Sequence, residues 1–180
     1  MTEPTLLGIC GALRLQSTNR LLLRAAARQF GPARFTEGDL RLPLYDADLE
    51  DAEGIPASVE TLAEQIRAAD AIIIATPEYN KAPPGVLKNA LDWVSRVKGG
   101  VWRNKPVAII SAAAGRAGGE RSQFALRLMM NPFGARVLPG PEVMIAASSG
   151  AFDEQGRLQD ETAHKLLSDL MAALRSSAAG

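Results

Sequence analysis

The run Ala71-Ile72-Ile73-Ile74-Ala75 carries no polar side chain on either alternating face, and its β-branched centre favours an extended strand. A strand that is apolar on both faces must be covered on both faces. This requirement selects a parallel sheet between two layers of helices, because each crossover lays a helix on the sheet where a hairpin does not.

The rest of the chain supplies the alternation such a sheet needs. Residues 5–10 and 106–112 read as further buried strands, 34–40 as a weaker one and 142–147 as a short last one. Helical spacing separates them. Leu23, Ala26, Ala27 and Phe30 fall at i, i+3, i+4 and i+7, Val59, Leu62, Ala63 and Ile66 repeat the pattern, and Leu87, Ala90, Leu91 and Val94 follow. Residues 119–130 are helix-like, and 163–174 give the cleanest apolar stripe. Residues 42–56 have no period and read as a surface crossing, while 176–180 are expected to fray. One domain over residues 1–180 follows, an α/β/α sandwich with a five-stranded parallel sheet. Its length favours the flavodoxin-like order 2-1-3-4-5, whose switch point lies between the first and third strands.

Composition removes several functions. The 180 residues hold 20 basic and 20 acidic side chains, so no net field draws the chain to nucleic acid or an anionic membrane. One cysteine, Cys10, and one histidine, His164, cannot build a disulfide or a zinc site. His164 beside the last apolar stripe reads as an exposed surface residue, and Cys10 as a core thiol suited to a reducing, cytoplasmic setting. The apolar run 6–10 is far too short for a membrane span. Small-molecule chemistry remains.

In an open α/β sheet, ligands bind beyond the carboxyl ends of the strands. Three loops there carry the candidate residues. After the first strand come Gly11, Ala12, Leu13 and Arg14, then Ser17, Thr18 and Asn19 at a helix start. Unpaired amides and the positive end of a helix dipole favour an anion there, with Arg14 adding a fixed charge; helix capping by Ser17, Thr18 and Asn19 explains the same residues without a ligand. The loop is neither Gly-x-Gly-x-x-Gly nor a P-loop, so a single phosphate fits better than a chain of them.

After the third strand, Pro77-Glu78-Tyr79-Asn80 and Pro83-Pro84 form a stiff turn, whose amides suit the polar edge of a flat ring and whose Tyr79 suits its face. A rigid proline turn with a core tyrosine is the alternative. After the fourth strand, Ala113 and Gly115 sit in a small-residue loop that would let a flat ligand approach the backbone, or that simply connects two elements.

With these loops in view, the chain resembles the NADPH-dependent FMN reductase family, the flavodoxin-like group that includes chromate, quinone and azo reductases. Gly11-Ala12-Leu13-Arg14 with Ser17-x-Asn19 is similar to the family's phosphate loop. Pro77-Glu78-Tyr79-Asn80 followed by Pro84-Gly85-x-Leu87-Lys88-Asn89-Ala90-x-Asp92-Trp93 resembles its flavin-ring segment, and Gly115-x-x-Gly118-Gly119 its third loop. Ala12 and the Ala112-Ala113-Ala114 run stand where relatives commonly place serines, and Lys81 where they place an aromatic or small residue.

The resemblance implies bound FMN, NAD(P)H as cosubstrate, hydride transfer to the flavin N5 and passage of two electrons to a small-molecule acceptor by a ping-pong course. It implies no obligatory catalytic side chain, because the flavin carries the chemistry. It further implies a homodimer or homotetramer, with Trp93, Arg121, Phe124 and Glu142 as interface candidates by matching position. A non-enzymatic electron-transfer flavoprotein and a redox-inactive nucleotide-binding module are the competing expectations; balanced charge counts against the former.

Overall fold

The computed structural model of the chain describes residues 3–179. Strands β1 (Thr5–Cys10), β2 (Arg34–Gly38), β3 (Ala71–Ala75) and β4 (Pro106–Ala112) pair in parallel in the order 2-1-3-4. Leu6 lies beside Ala71 and Cys10 beside Ala75, while Ile72 lies beside Val107 and Ala75 beside Ile110. The switch point therefore falls between β1 and β3.

Strand alternation assigns each side chain to one of two cores. Leu6, Cys10 and Ile73 pack under helices α1 (Thr18–Phe30) and α6 (Glu161–Ala178). Leu7, Ile9, Ile72 and Ile74 face the other layer, built by α3 (Ala57–Ala68), α4 (Gly85–Arg96) and α5 (Glu120–Met130). Each fully buried isoleucine contributes roughly 1.5–3 kcal/mol of transfer free energy. A short, exposed helix, α2 (Ala47–Glu53), precedes α3.

The fifth position of the sheet is filled by two pieces instead of the single strand expected at 142–147. Strand β5 (Arg136–Val137) and strand β6 (Val143–Ile145) both pair with β4, giving the order 2-1-3-4-5 with β6 on the same neighbour. Between Val107 and Ile110, β4 spends three residues where the edge chain spends six, Val137 to Val143. Pro139 and Pro141 lack amides for the ladder, so the chain leaves it there and returns.

Three further expectations change. Residues 42–56 are not a plain crossing, because Asp46 caps α2 by accepting from the Asp48 amide at 2.9 Å. The last helix runs on through Ser176 and Ser177 to Ala178, held by Arg136 Nη2 donating to the Ser177 carbonyl at 3.0 Å; Gly180 lies outside the described residues. Trp93 is fully buried, so it is not an interface residue. Its Nε1 donates to the Pro43 carbonyl at 2.8 Å, and its ring meets Tyr45 edge-on at 5.0 Å.

Candidate cofactor site

The loops that follow β1, β3 and β4 close around one cleft of about 340 Å³ at the carboxyl edge of the sheet. Arg14, Ser17, Thr18 and Asn19 come from the first loop, Pro77, Glu78 and Tyr79 from the second, and Ala113 from the third. Gln16, Ala112, Ala114 and Ser148 complete the lining, and sequence reasoning missed Gln16 and Ser148. Ser148 follows β6 at the same sheet edge, where the polar Ser148-Ser149-Gly150 was a signal available in the sequence. Its hydroxyl accepts from Thr18 Oγ1 at 3.2 Å.

Gly11, Ala12, Leu13, Asn80 and Gly115 do not line the cleft. Gly11 bears on the cleft nonetheless: a Cβ there would lie 3.0 Å from both Pro77 and Pro84, tighter than an ordinary contact, so glycine eases the close approach of the first two loops. Its amide donates to the Ala75 carbonyl at 2.8 Å. Ala12 is buried in the core, and Leu13 packs against the helix layer on the opposite face from α1.

At the start of α1 the Ser17 hydroxyl accepts from the Asn19 amide at 3.2 Å, a helix cap. Asn19 is not free for a ligand. Its side chain donates to the Ala112 carbonyl at 2.7 Å and accepts from the Ala112 amide at 2.9 Å, which ties α1 to the end of β4. Arg14 is exposed, and its guanidinium has no ion pair or hydrogen bond among the described residues. The amides of Gln16 and Thr18 likewise donate to no protein group among the described residues.

In the second loop, Tyr79 and Ala82 exchange backbone hydrogen bonds of 3.0 and 3.1 Å around Asn80 (φ 51°) and Lys81 (φ 67°), a two-residue hairpin with both central residues left-handed. The Tyr79 amide is thus consumed by the turn, contrary to the expectation that it would meet a ligand. The amides of Glu78 and Asn80 are not consumed among the described residues. Tyr79 is 55% exposed, not a core tyrosine.

Glu78 points its carboxylate at α5. Oε2 accepts from the amides of Arg121 and Ser122 at 3.1 and 3.4 Å, and Oε1 lies 3.6 Å from Arg121 Nη1. It serves as the cap that Gly119, lacking a side chain, does not supply. The third loop is pinned beneath by buried polar groups: Ser122 Oγ donates to the Pro77 carbonyl at 2.9 Å, Gln123 Nε2 to Ser111 Oγ at 2.9 Å and to the Val143 carbonyl at 2.8 Å, and Ser111 Oγ to the Gly118 carbonyl at 2.6 Å. A Cβ on Gly118 would sit 2.6 Å from the Met144 backbone at a φ of +59°, so this corner requires glycine. The Ala113 amide is occupied by the Ile145 carbonyl at 2.9 Å, leaving Ala113 only its side chain for the cleft.

Cys10 lies under this edge, buried, and burial pushes its thiol above the ordinary range against the opposing pull of a hydrogen bond with the Ala12 backbone. His164 is exposed on α6 and distant from the lining, and Lys88 pairs with Asp92 at 2.6 Å on the outer face of α4. No helix among the described residues is long and apolar enough to cross a membrane.

A doubly wound parallel sheet of order 2-1-3-4-5 with a cleft of anion donors and one exposed aromatic at its switch point defines a flavodoxin-like protein. Sequence comparison narrows that class. The profile of the NADPH-dependent FMN reductases matches residues 4–150, and the chain belongs to that family. It is 45% identical over 171 residues to an NAD(P)H-dependent FMN reductase of Pseudomonas aeruginosa, spanning 94% of this chain and 92% of that one. A quinone reductase of Escherichia coli K12 is 42% identical over 151 residues, 82% of this chain and 80% of that one. Among solved structures, a flavoenzyme NAD(P)H:(acceptor) oxidoreductase from Paracoccus denitrificans superposes with a TM-score of 0.88 at 31% identity, covering 98% of this chain and 97% of that one.

Proposed function

We propose that the chain is an NAD(P)H-dependent FMN oxidoreductase that reduces a small acceptor, with a quinone as the acceptor we favour. The observation that carries this reading is the division within one cleft. Arg14, the Ser17 hydroxyl and the unpaired amides of Gln16 and Thr18 come from the loop after β1, and Tyr79 with the free Glu78 amide comes from the loop after β3. A terminal phosphate matches the first set of donors and a flat, polar-edged ring the second.

Bound FMN would supply two-electron redox chemistry linking NAD(P)H to the acceptor. The protein's part is to hold, orient and shield. Arg14 and the start of α1 bind the phosphate. The Glu78 amide would hold the ring's polar edge and stabilise negative charge that develops there. The Ala112-Ala113-Ala114 wall presents methyl groups, so contact on that side is apolar and excludes water. No lining side chain is assigned as a proton donor or acceptor, because the one carboxylate present, Glu78, is engaged by α5.

The relatives named FMN reductase and quinone reductase support this assignment, and azo compounds and chromate are further acceptors to try. A homodimer or homotetramer is expected in the cytoplasm. Phe124 and Leu128, exposed and one turn apart on α5, suit a subunit contact, together with exposed Arg121 and Glu142.

The test is direct. The purified chain should show flavin absorbance, or acquire it on addition of FMN, and should then oxidise NADPH with benzoquinone. Failure to bind FMN overturns the proposal, and FMN binding without NADPH turnover reduces the protein to an electron carrier.

A further inference from the structure

The loop after β3 offers a ligand few backbone donors. Pro77 has no N–H, and the Tyr79 amide is closed off by the Ala82 carbonyl at 3.0 Å. Of Pro77, Glu78 and Tyr79, which line the cleft, only Glu78 keeps an amide that no protein group accepts among the described residues. Whatever holds the Pro77–Glu78 peptide therefore governs how this loop meets a ligand.

That peptide is held on its carbonyl side by two hydroxyls. Ser122 Oγ donates to the Pro77 carbonyl at 2.9 Å, and Thr76 Oγ1 lies 2.7 Å from Ser122 Oγ and 3.2 Å from the same carbonyl. Both residues are fully buried. Each hydroxyl has one proton to give. With Ser122 spending its proton on the carbonyl, the shortest bond open to Thr76 runs to Ser122 Oγ, and a chain forms from Thr76 through Ser122 to the Pro77 carbonyl. The Ser122 amide also donates to the Glu78 carboxylate at 3.4 Å, so one residue in the first turn of α5 grips Glu78 through both its peptide and its side chain.

A trans peptide is planar, with its C=O and N–H pointing in opposite directions. A Pro77 carbonyl drawn toward α5 turns the Glu78 N–H away from α5, on a residue that lines the cleft. Hydrogen bonds in series polarise one another, and the peptide group passes that polarisation from its oxygen to its N–H. The chain both aims the amide and strengthens it as a donor.

We infer that Thr76 and Ser122 are positioning residues that set the reduction potential of the bound flavin through the Glu78 amide. The inference rests on the FMN reading above and deepens it. Two-electron reduction adds negative charge to the ring, and a donor fixed in place beforehand favours the reduced form. Neither hydroxyl-bearing residue lines the cleft, so their influence passes through the peptide.

The midpoint potential of the bound FMN, read by equilibration with redox dyes, tests this alongside the affinity for oxidised FMN. Ser122→Ala should lower the preference for reduced over oxidised flavin about tenfold, a downward shift of about 30 mV for a two-electron couple. Thr76→Val keeps the side-chain shape but removes the first link, and should lower the same preference by less, about threefold. Added to Ser122→Ala it should change nothing further, because the chain is already cut. Thr76→Ser keeps the hydroxyl and should hold the wild-type potential even where it melts lower. A purely structural role would weaken oxidised and reduced FMN alike and leave the potential in place. A wild-type potential in both Ser122→Ala and Thr76→Val, a Thr76→Ser shift as large as that of Thr76→Val, or additive shifts in the double variant would each overturn the inference. Should Ser122→Ala fail to fold, the two Thr76 variants decide alone. A chain that takes up no FMN overturns the FMN reading and this one with it. A chain that takes up FMN at a potential these variants do not move overturns this one alone.

Discussion

Asn19 uses both hydrogen-bonding groups of its side chain on the Ala112 backbone, and so acts as a joint between α1 and β4. Asn19→Ala would leave a buried amide and carbonyl without partners, and chemical denaturation should show a loss of roughly 2–3 kcal/mol. Cys10 makes a pH-dependent contribution. Its folded pKa is raised, chiefly by burial, so above the ordinary value of 9.0 the unfolded chain loses a proton that the folded chain keeps. Stability should be constant in this respect below that pH and fall above it, and Cys10→Ala should flatten the fall in melting curves from about pH 8 to 10. The sequence made the residue types at the site legible, since Arg14, Ser17, Pro77 and Tyr79 all reach the cleft. Which groups remain free was not legible. The Tyr79 amide is closed off by Ala82, the Ala113 amide by Ile145 and the Asn19 side chain by Ala112, and two of those three partners are remote in sequence.

At the scale of elements, Glu78 makes the second and third loops one mechanical unit, because its carboxylate caps a helix that starts directly after the third loop. Glu78→Ala should cost about 1 kcal/mol, as loss of a helix cap does, and should speed amide hydrogen exchange at Arg121 and Ser122 more than in β3. Undiminished protection at those two amides would refute the capping role. Elements with a buried face were readable from their spacing, as in α3, α4 and α6. Helix α2 was not, because it buries no residue and therefore has no apolar period; its one local signal was Asp46 at the cap. The split of the sheet edge into β5 and β6 followed from Pro139 and Pro141, whose effect on pairing depends on where β4 lies beside them.

For the whole molecule, the parallel sheet was readable because few arrangements cover an all-apolar strand such as β3 on both faces, and the order with its switch point because the chain's length suits the shorter of the two doubly wound orders. The fully buried Trp93 shows the limit of matching by position, since a residue placed at a subunit contact by likeness lies inside this chain. The central claim is that one cleft divides its work between a phosphate loop at Arg14 and a ring loop at Tyr79. Affinities of wild type, Arg14→Ala and Tyr79→Ala for FMN and for riboflavin, read from flavin fluorescence, test that claim, because riboflavin is FMN without its phosphate. Arg14→Ala should lose about tenfold in FMN affinity and little in riboflavin affinity, while Tyr79→Ala should weaken both flavins by a similar factor. An FMN-to-riboflavin ratio that is the same in all three proteins would contradict the claim.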